Sequence, residues 1–126
     1  MCSSAPSEIL SLIGLRNRDK ILAKTMAIVH RNLELLKEFF SRHEDVFEWH
    51  PPRAGTVGFL RLKGALLQLG DGGASGFCQE LLAKKQCLFL PASKYEFRDE
   101  FVRIGFGRAN LAECLPPLEE FLKDIK

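Results

Sequence analysis

Eight residues near the C-terminal end, Phe101-Val102-Arg103-Ile104-Gly105-Phe106-Gly107-Arg108, constrain the fold more than any other stretch. Val102, Ile104 and Phe106 alternate with Arg103 and Gly105, which is the two-residue period of a strand with one buried face. Such a strand needs partners in a sheet and an apolar layer over one side. Its other side carries Arg103. Gly105 and Gly107 remove side-chain bulk beside that arginine, so a ligand can come close to the backbone. A guanidinium mounted on a strand is suited to receive a carboxylate through two parallel hydrogen bonds. By itself the pattern more often marks an arginine that only faces water.

The covering layer is found upstream. Ile21, Leu22, Ile28, Val29, Leu33, Leu36, Phe39 and Phe40 recur at three- and four-residue spacing out to about His43, the signature of a long amphipathic helix. Before it, Ser4-Ala5-Pro6-Ser7-Glu8 opens a helix: serine oxygens can accept from free amides, proline suits the first turn, and Glu8 suits the positive helix end. Ile9, Leu10, Leu12, Ile13 and Leu15 make that first helix apolar enough to need a cover, from this chain's core or from outside it. Asn17-Arg18-Asp19 marks a break and restart. On the long helix, Lys24, Arg31, Glu34, Lys37 and Glu38 form a solvated face. His30 and His43 have no metal or acid partner close in sequence and read as surface or boundary residues.

Downstream, Val46 to His50 is a short strand stopped by Pro51-Pro52, Arg53-Ala54-Gly55 a turn, and Thr56 to Lys63 a second strand. Phe47, Trp49, Phe59 and Leu60 are expected in the core. Gly70 to Gly76 is glycine-rich but lacks the lysine and Ser/Thr of a phosphate loop and a buried strand before it, so it reads as a flexible loop. Phe77 to Lys85 is a helix with Leu81 and Leu82 inward, Cys87 to Leu90 a strand, and Pro91 to Phe97 a loop. Asn110 with Glu113 fits a capping box before a last helix lined by Leu111, Leu115, Leu118, Phe121, Leu122 and Ile125. Pro116-Pro117 requires a kink there, or a new start. The fold class is therefore α+β: a mostly antiparallel small sheet with helices packed on one face.

A chain of 126 residues is one domain with room for its own core. Eighteen basic against 16 acidic residues give a net charge of +2, too balanced for a nucleic-acid groove or an anionic membrane surface. No apolar run reaches the roughly 20 residues of a membrane span, and no basic region precedes an apolar run at the N-terminus. Cys2, Cys78, Cys87 and Cys114 lack metal-ligand spacing and read as free thiols in a reducing, cytoplasmic setting, with Cys114 on a helix near a core face.

Four stretches in order resemble the C-terminal, small-domain part of class I/II aminotransferases, the pyridoxal-phosphate enzymes of fold type I. Cys2 to Glu8 with Gly14-Leu15-Arg16-Asn17-Arg18 resembles the crossover from the large domain, and Asn32-Leu33-Glu34-Leu35-Leu36 the first small-domain helix. Pro52 to Phe59 is similar to the family's proline-glycine turn and strand, and Leu90 to Phe97 to its loop before the last strand. Phe101 to Arg108 followed by Asn110-Leu111 is the most specific piece. The resemblance implies a helical crossover segment over residues 1–16 and a small domain over 17–126. It implies amino-acid and 2-oxo-acid substrates, pyridoxal 5'-phosphate, and homodimers with a shared active site. Arg103 takes the place of the arginine that binds the substrate α-carboxylate and so orients the amino acid over the cofactor, whose ring is the electron sink. Arg108, past the second glycine, is expected to make a structural strand-end contact.

Within this chain the resemblance assigns no catalytic, cofactor-binding or metal-binding residue. The family's Schiff-base lysine, its aspartate for the pyridinium nitrogen and its tyrosine for the phenolic oxygen all precede the matched region, and the first lysine here is Lys20. The expectation is a truncated product, a partial gene or an isolated domain, inactive alone. The alternative is a stand-alone small-ligand-binding or protein-interaction module.

Overall fold

The structure, a computed structural model, describes residues 4–125. Cys2 and Ser3, expected to begin the crossover segment, lie outside them. In chain order the elements are α1 (Ala5–Arg16), α2 (Arg18–Arg42), β1 (Phe47–Trp49), β2 (Val57–Leu62), α3 (Gly73–Lys85), β3 (Leu90–Pro91), β4 (Phe101–Gly105) and α4 (Leu115–Lys123), with short 3-10 turns at Gly64–Gln68, Ala92–Tyr95 and Leu111–Cys114. The strands form one antiparallel sheet in the order β1-β2-β4-β3. Helices cover one of its faces. The expected α+β class is the observed one.

The core forms where three apolar periodicities meet. Leu60 and Leu62 of β2, with Val102, Ile104 and then Phe106 of the β4 segment, point to the covered face. Val29, Leu36, Phe39 and Phe40 come from α2, Phe77 and Leu81 from α3, and Leu118, Phe121 and Leu122 from α4. Each fully buried Leu or Phe contributes about 1.5–3 kcal/mol of burial free energy. Edge-to-face aromatic pairs link the layers: Phe40 to Phe47 at 5.4 Å, Phe47 to Phe77 at 6.4 Å and Phe77 to Phe121 at 5.9 Å between ring centroids.

The ends of the molecule differ from this. No residue of α1 is buried, and Leu10 keeps 68% of its surface exposed. Ile21, Leu22 and Met26, on the first half of α2, are exposed too. The chain's own core therefore leaves α1 uncovered. The break at Asn17 is real: its side-chain amide donates to the Ile13 carbonyl at 2.9 Å, closing α1 before α2 begins. Ser4 makes no side-chain cap, contrary to expectation. Among the described residues no helix is long and apolar enough to cross a membrane.

Several local expectations are corrected. Phe59 is 42% exposed because Gly58, Leu60 and Leu62 take the covered side of β2, which leaves the odd positions outward. Leu82 faces outward beside inward Leu81. Only Leu90–Pro91 pairs with β4, since Gln86 ends α3 in a left-handed conformation (φ 54°) and residues 87–89 run unpaired. The glycine-rich stretch is no free loop: α3 begins at Gly73, and Gly76 is packed under the Leu69 carbonyl. Asn110 (φ −96°, ψ 19°) lacks cap geometry and makes no side-chain cap, so a 3-10 turn follows it, and Cys114 there is exposed rather than near the core. The restart expected at Pro116-Pro117 is present, with proline in the first turn of α4.

His43 is also not a plain boundary residue. It is buried at the end of α2, tilted against Phe39 at 4.8 Å, and its Nε2 donates to Glu119 Oε2 of α4 at 3.0 Å. That hydrogen bond, aided by the charges of Arg42 and Lys123, lowers the Glu119 pKa below its ordinary 4.5 against the opposing effect of burial. A carboxylate whose folded pKa is depressed adds stability above its unfolded pKa and loses it as pH falls through the folded value. Urea midpoints should therefore drop as pH falls below the ordinary carboxylate pKa of 4.5, and Glu119→Gln should flatten that drop. Parallel profiles for the two proteins would count against the assignment.

Candidate functional site

The uncovered face of the sheet holds the charges. Cross-strand register sets Glu48 opposite Arg61, and Phe59 and Leu90 on either side of Arg103. Arg61 is compensated twice: Nη1 lies 3.1 Å from Glu48 Oε2 and Nε lies 3.0 Å from Glu100 Oε1. Arg98 Nη2 shares that Glu100 oxygen at 2.6 Å. Arg103 has no such carboxylate. Among the described residues its one hydrogen-bonding partner is neutral, the Tyr95 hydroxyl, which accepts from Nη1.

Tyr95 reaches Arg103 because the 3-10 turn that carries it is anchored to α3. The Ser75 hydroxyl donates to Asp99 Oδ1 at 2.9 Å and lies 3.2 Å from Ser93 Oγ, and the Ala74 amide donates to the Asp99 carbonyl at 2.6 Å. The guanidinium carbon sits 5.4 Å from the centre of the Tyr95 ring. Phe59 packs edge-on to Tyr95 at 6.4 Å and against Phe97 at 5.8 Å, and Phe97 meets Phe101 at 5.2 Å. Arg103 thus stands half-buried at the edge of an aromatic patch. With Nη1 engaged, its Nε–Nη2 edge remains a two-donor fork of the shape a carboxylate takes.

Beyond Leu90, β4 has no strand partner on the β3 side, and a cleft of about 410 Å³ opens there. Leu88, Leu90, Arg103, Gly105 and Arg108 are on its walls. Gly105 has open space where a Cβ would stand, as its place beside a ligand site requires. Gly107 does not: a Cβ there would meet Thr56 at 3.3 Å, so this glycine serves packing. The expected strand-end contact of Arg108 is made by its backbone alone, whose carbonyl accepts from Asn32 Nδ2 at 2.6 Å. Its exposed guanidinium has no partner among the described residues. Cys87 and Cys114 also border the cleft, and burial, with the Cys114 thiol nearby, pushes the Cys87 pKa up, which keeps it a thiol at neutral pH.

A larger groove of about 710 Å³ lies at the other sheet edge, along β1 and the end of α2. Several of its charged groups are already engaged. Lys63 donates to the Glu44 carbonyl, Lys37 is 2.7 Å from Glu34, and Glu48 is held by Arg61. The uncompensated arginines of the smaller cleft make it the better candidate for a charged ligand.

Sequence reading placed Arg103 on the open face, where it is found. It did not bring in Phe59, Tyr95 or Phe97. The period of β2 held a usable signal for Phe59, because a residue adjacent to inward Leu60 must face outward.

No protein-family model and no curated protein matches the chain. Solved structures do. An aminotransferase from Streptococcus suis that depends on pyridoxal phosphate (PLP) superposes with a TM-score of 0.82 at 24% identity, over 99% of this chain and 32% of its own length. The PLP-dependent cyclase OrfR gives 0.82 at 22% identity, over 97% and 32%. This is a fold that PLP-dependent enzymes contain. Tyrosine aminotransferase from Leishmania infantum gives 0.70 at 19% identity, over 81% of this chain and 25% of its own. The chain spans about a third of the length of the first two.

The cleft's own residues do not fit PLP. Among the described residues that line it there is neither a lysine to form an imine nor a carboxylate to face a pyridinium nitrogen. What the cleft offers is cationic and apolar.

Proposed function

We propose that this chain is the small-domain portion of a PLP-dependent amino-acid aminotransferase of class I/II, fold type I, in which Arg103 receives the substrate α-carboxylate. Residues 1–16 form the crossover toward the large domain and 17–126 the small domain. The observation that carries the reading is the contrast on one sheet face: Arg61 has two carboxylate partners and Arg103 has none, only a tyrosine that fixes one nitrogen and leaves the fork free. An arginine held this way selects a planar anion and fixes its orientation, a role for which lysine is no substitute. The aromatic patch around it supplies a low-dielectric wall that strengthens the pair.

Cofactor attachment belongs, on this proposal, to the two-thirds of the enzyme that this chain does not match. Amino acid and 2-oxo acid are the substrates, and homodimers the working form. The uncovered apolar residues of α1 are assigned to the contact with the large domain. Incubation of the chain alone with PLP and borohydride should leave no stoichiometric adduct on a single lysine, by peptide mass mapping, and no amino-transfer activity. A single-site adduct with turnover would overturn the division of labour.

A further inference from the structure

We propose that the cleft beyond β3 is a dicarboxylate site, with Arg103 taking one carboxylate and Arg108 the second. This deepens the reading of Arg103 as a carboxylate receiver, rests on it, and names the substrate class: amino acids or 2-oxo acids with an acidic side chain.

Arg103 and Arg108 both line one cleft of about 410 Å³, within the range of small-molecule sites. None of the described residues lining it is Asp or Glu, so neither charge is cancelled locally. Arg61 and Arg98, by contrast, are neutralised by Glu48 and Glu100. Two unmatched cations in one concavity concentrate anions there.

Arg108 is mounted for the task. Asn32 is fully buried on α2, and its Nδ2 donates to the carbonyls of Phe106 at 2.9 Å and Arg108 at 2.6 Å. Arg31 Nη2 holds the next carbonyl, Ala109, at 2.6 Å. Residues 106–109 are thus tied to a long helix from behind, although they form no strand, and the Arg108 side chain leaves from a fixed backbone. Arg103 leaves from β4, paired on both sides. Exposed Leu88 and Leu90 give the cleft an apolar surface for a methylene spacer. A monocarboxylate can satisfy one guanidinium; a short dicarboxylate can satisfy both.

The test is an NMR titration of the ¹⁵N-labelled chain with acetate, succinate and inorganic phosphate, in the parent, Arg108→Gln and Arg103→Gln. Succinate should bind at least about tenfold more tightly than acetate. Arg108→Gln should bring succinate to the acetate level, and Arg103→Gln should weaken both. Equal binding of succinate and acetate by the parent, succinate binding indifferent to Arg108→Gln, phosphate binding as tight as succinate, or no response to any of the three would each overturn the proposal. If acetate depends on Arg103 while Arg108→Gln changes nothing, only the second carboxylate is refuted. A succinate preference that survives Arg103→Gln refutes the Arg103 reading instead.

Discussion

Gly76→Val should lower the unfolding free energy by about 3 kcal/mol in urea titrations, with Gly76→Ala costing roughly half as much. Gly76 lies in the first turn of α3, where the Leu69–Gly72 segment folds back over it. A Cβ would clash with the Leu69 carbonyl oxygen and lie 3.2 Å from the Asp71 amide nitrogen. Both obstacles are backbone. That backbone is itself closed by the Gly72 amide donating to the Leu69 carbonyl at 2.8 Å, so it cannot swing aside as a side chain would. Alanine's better helix propensity returns only about 1 kcal/mol, and the clash prevails. Gly14 is the matched control: it lies within α1 with nothing within 4 Å of its Cβ position, so Gly14→Ala should stabilise by about 0.5–1 kcal/mol. Equal stability of Gly76→Val and the parent would mean that the loop does not pack on α3 as described.

That glycine marks a boundary of what the sequence shows. The face of α2 was legible from Val29 through Leu36 to Phe39 and Phe40, because its period persists for several turns, whereas Asn32 and His43 are buried without having been read into it and Ile21 and Leu22 are exposed. The inward set of β4 was legible for the same reason. Gly70 to Gly76 was not: composition alone describes a flexible tether and a tight crossing equally well, and only the approach of Leu69 decides. Asn110 and Glu113 matched a capping box by spacing, but the backbone at Asn110 is already turned away from the extended geometry that a cap needs.

At the site, the position of Arg103 was legible and its surroundings were not. Alternation put it on the open face. What makes it unusual is the absence of a carboxylate near it among the described residues, which depends on how Glu48 and Glu100 divide themselves between Arg61 and Arg98. His43 met an acid 76 positions away, beyond the reach of any local motif. Arg108 shows the reverse error: a strand-end contact was expected and occurs, but through the carbonyl, which leaves the charge free.

Arg103→Leu carries the largest functional effect. In the PLP-loaded enzyme of which this chain is proposed to be the small domain, kcat/KM for the amino acid should fall about a thousandfold, the scale of losing a two-bond charge-assisted contact. Arg103→Lys should fall about a hundredfold, since a point charge restores attraction without the planar fork. Fold stability should change little in either variant, because Arg103 points away from the core and its one hydrogen-bonding partner among the described residues is the half-exposed Tyr95. This separates loss of substrate binding from loss of structure.

The direct measurement is kcat/KM for the amino-acid substrate in parent, Arg103→Lys and Arg103→Leu, each with its urea midpoint. A graded fall of about two and three orders of magnitude with unchanged midpoints is the predicted result. Unchanged efficiency in a folded Arg103→Leu protein would contradict it and leave Arg103 as an arginine that only faces water.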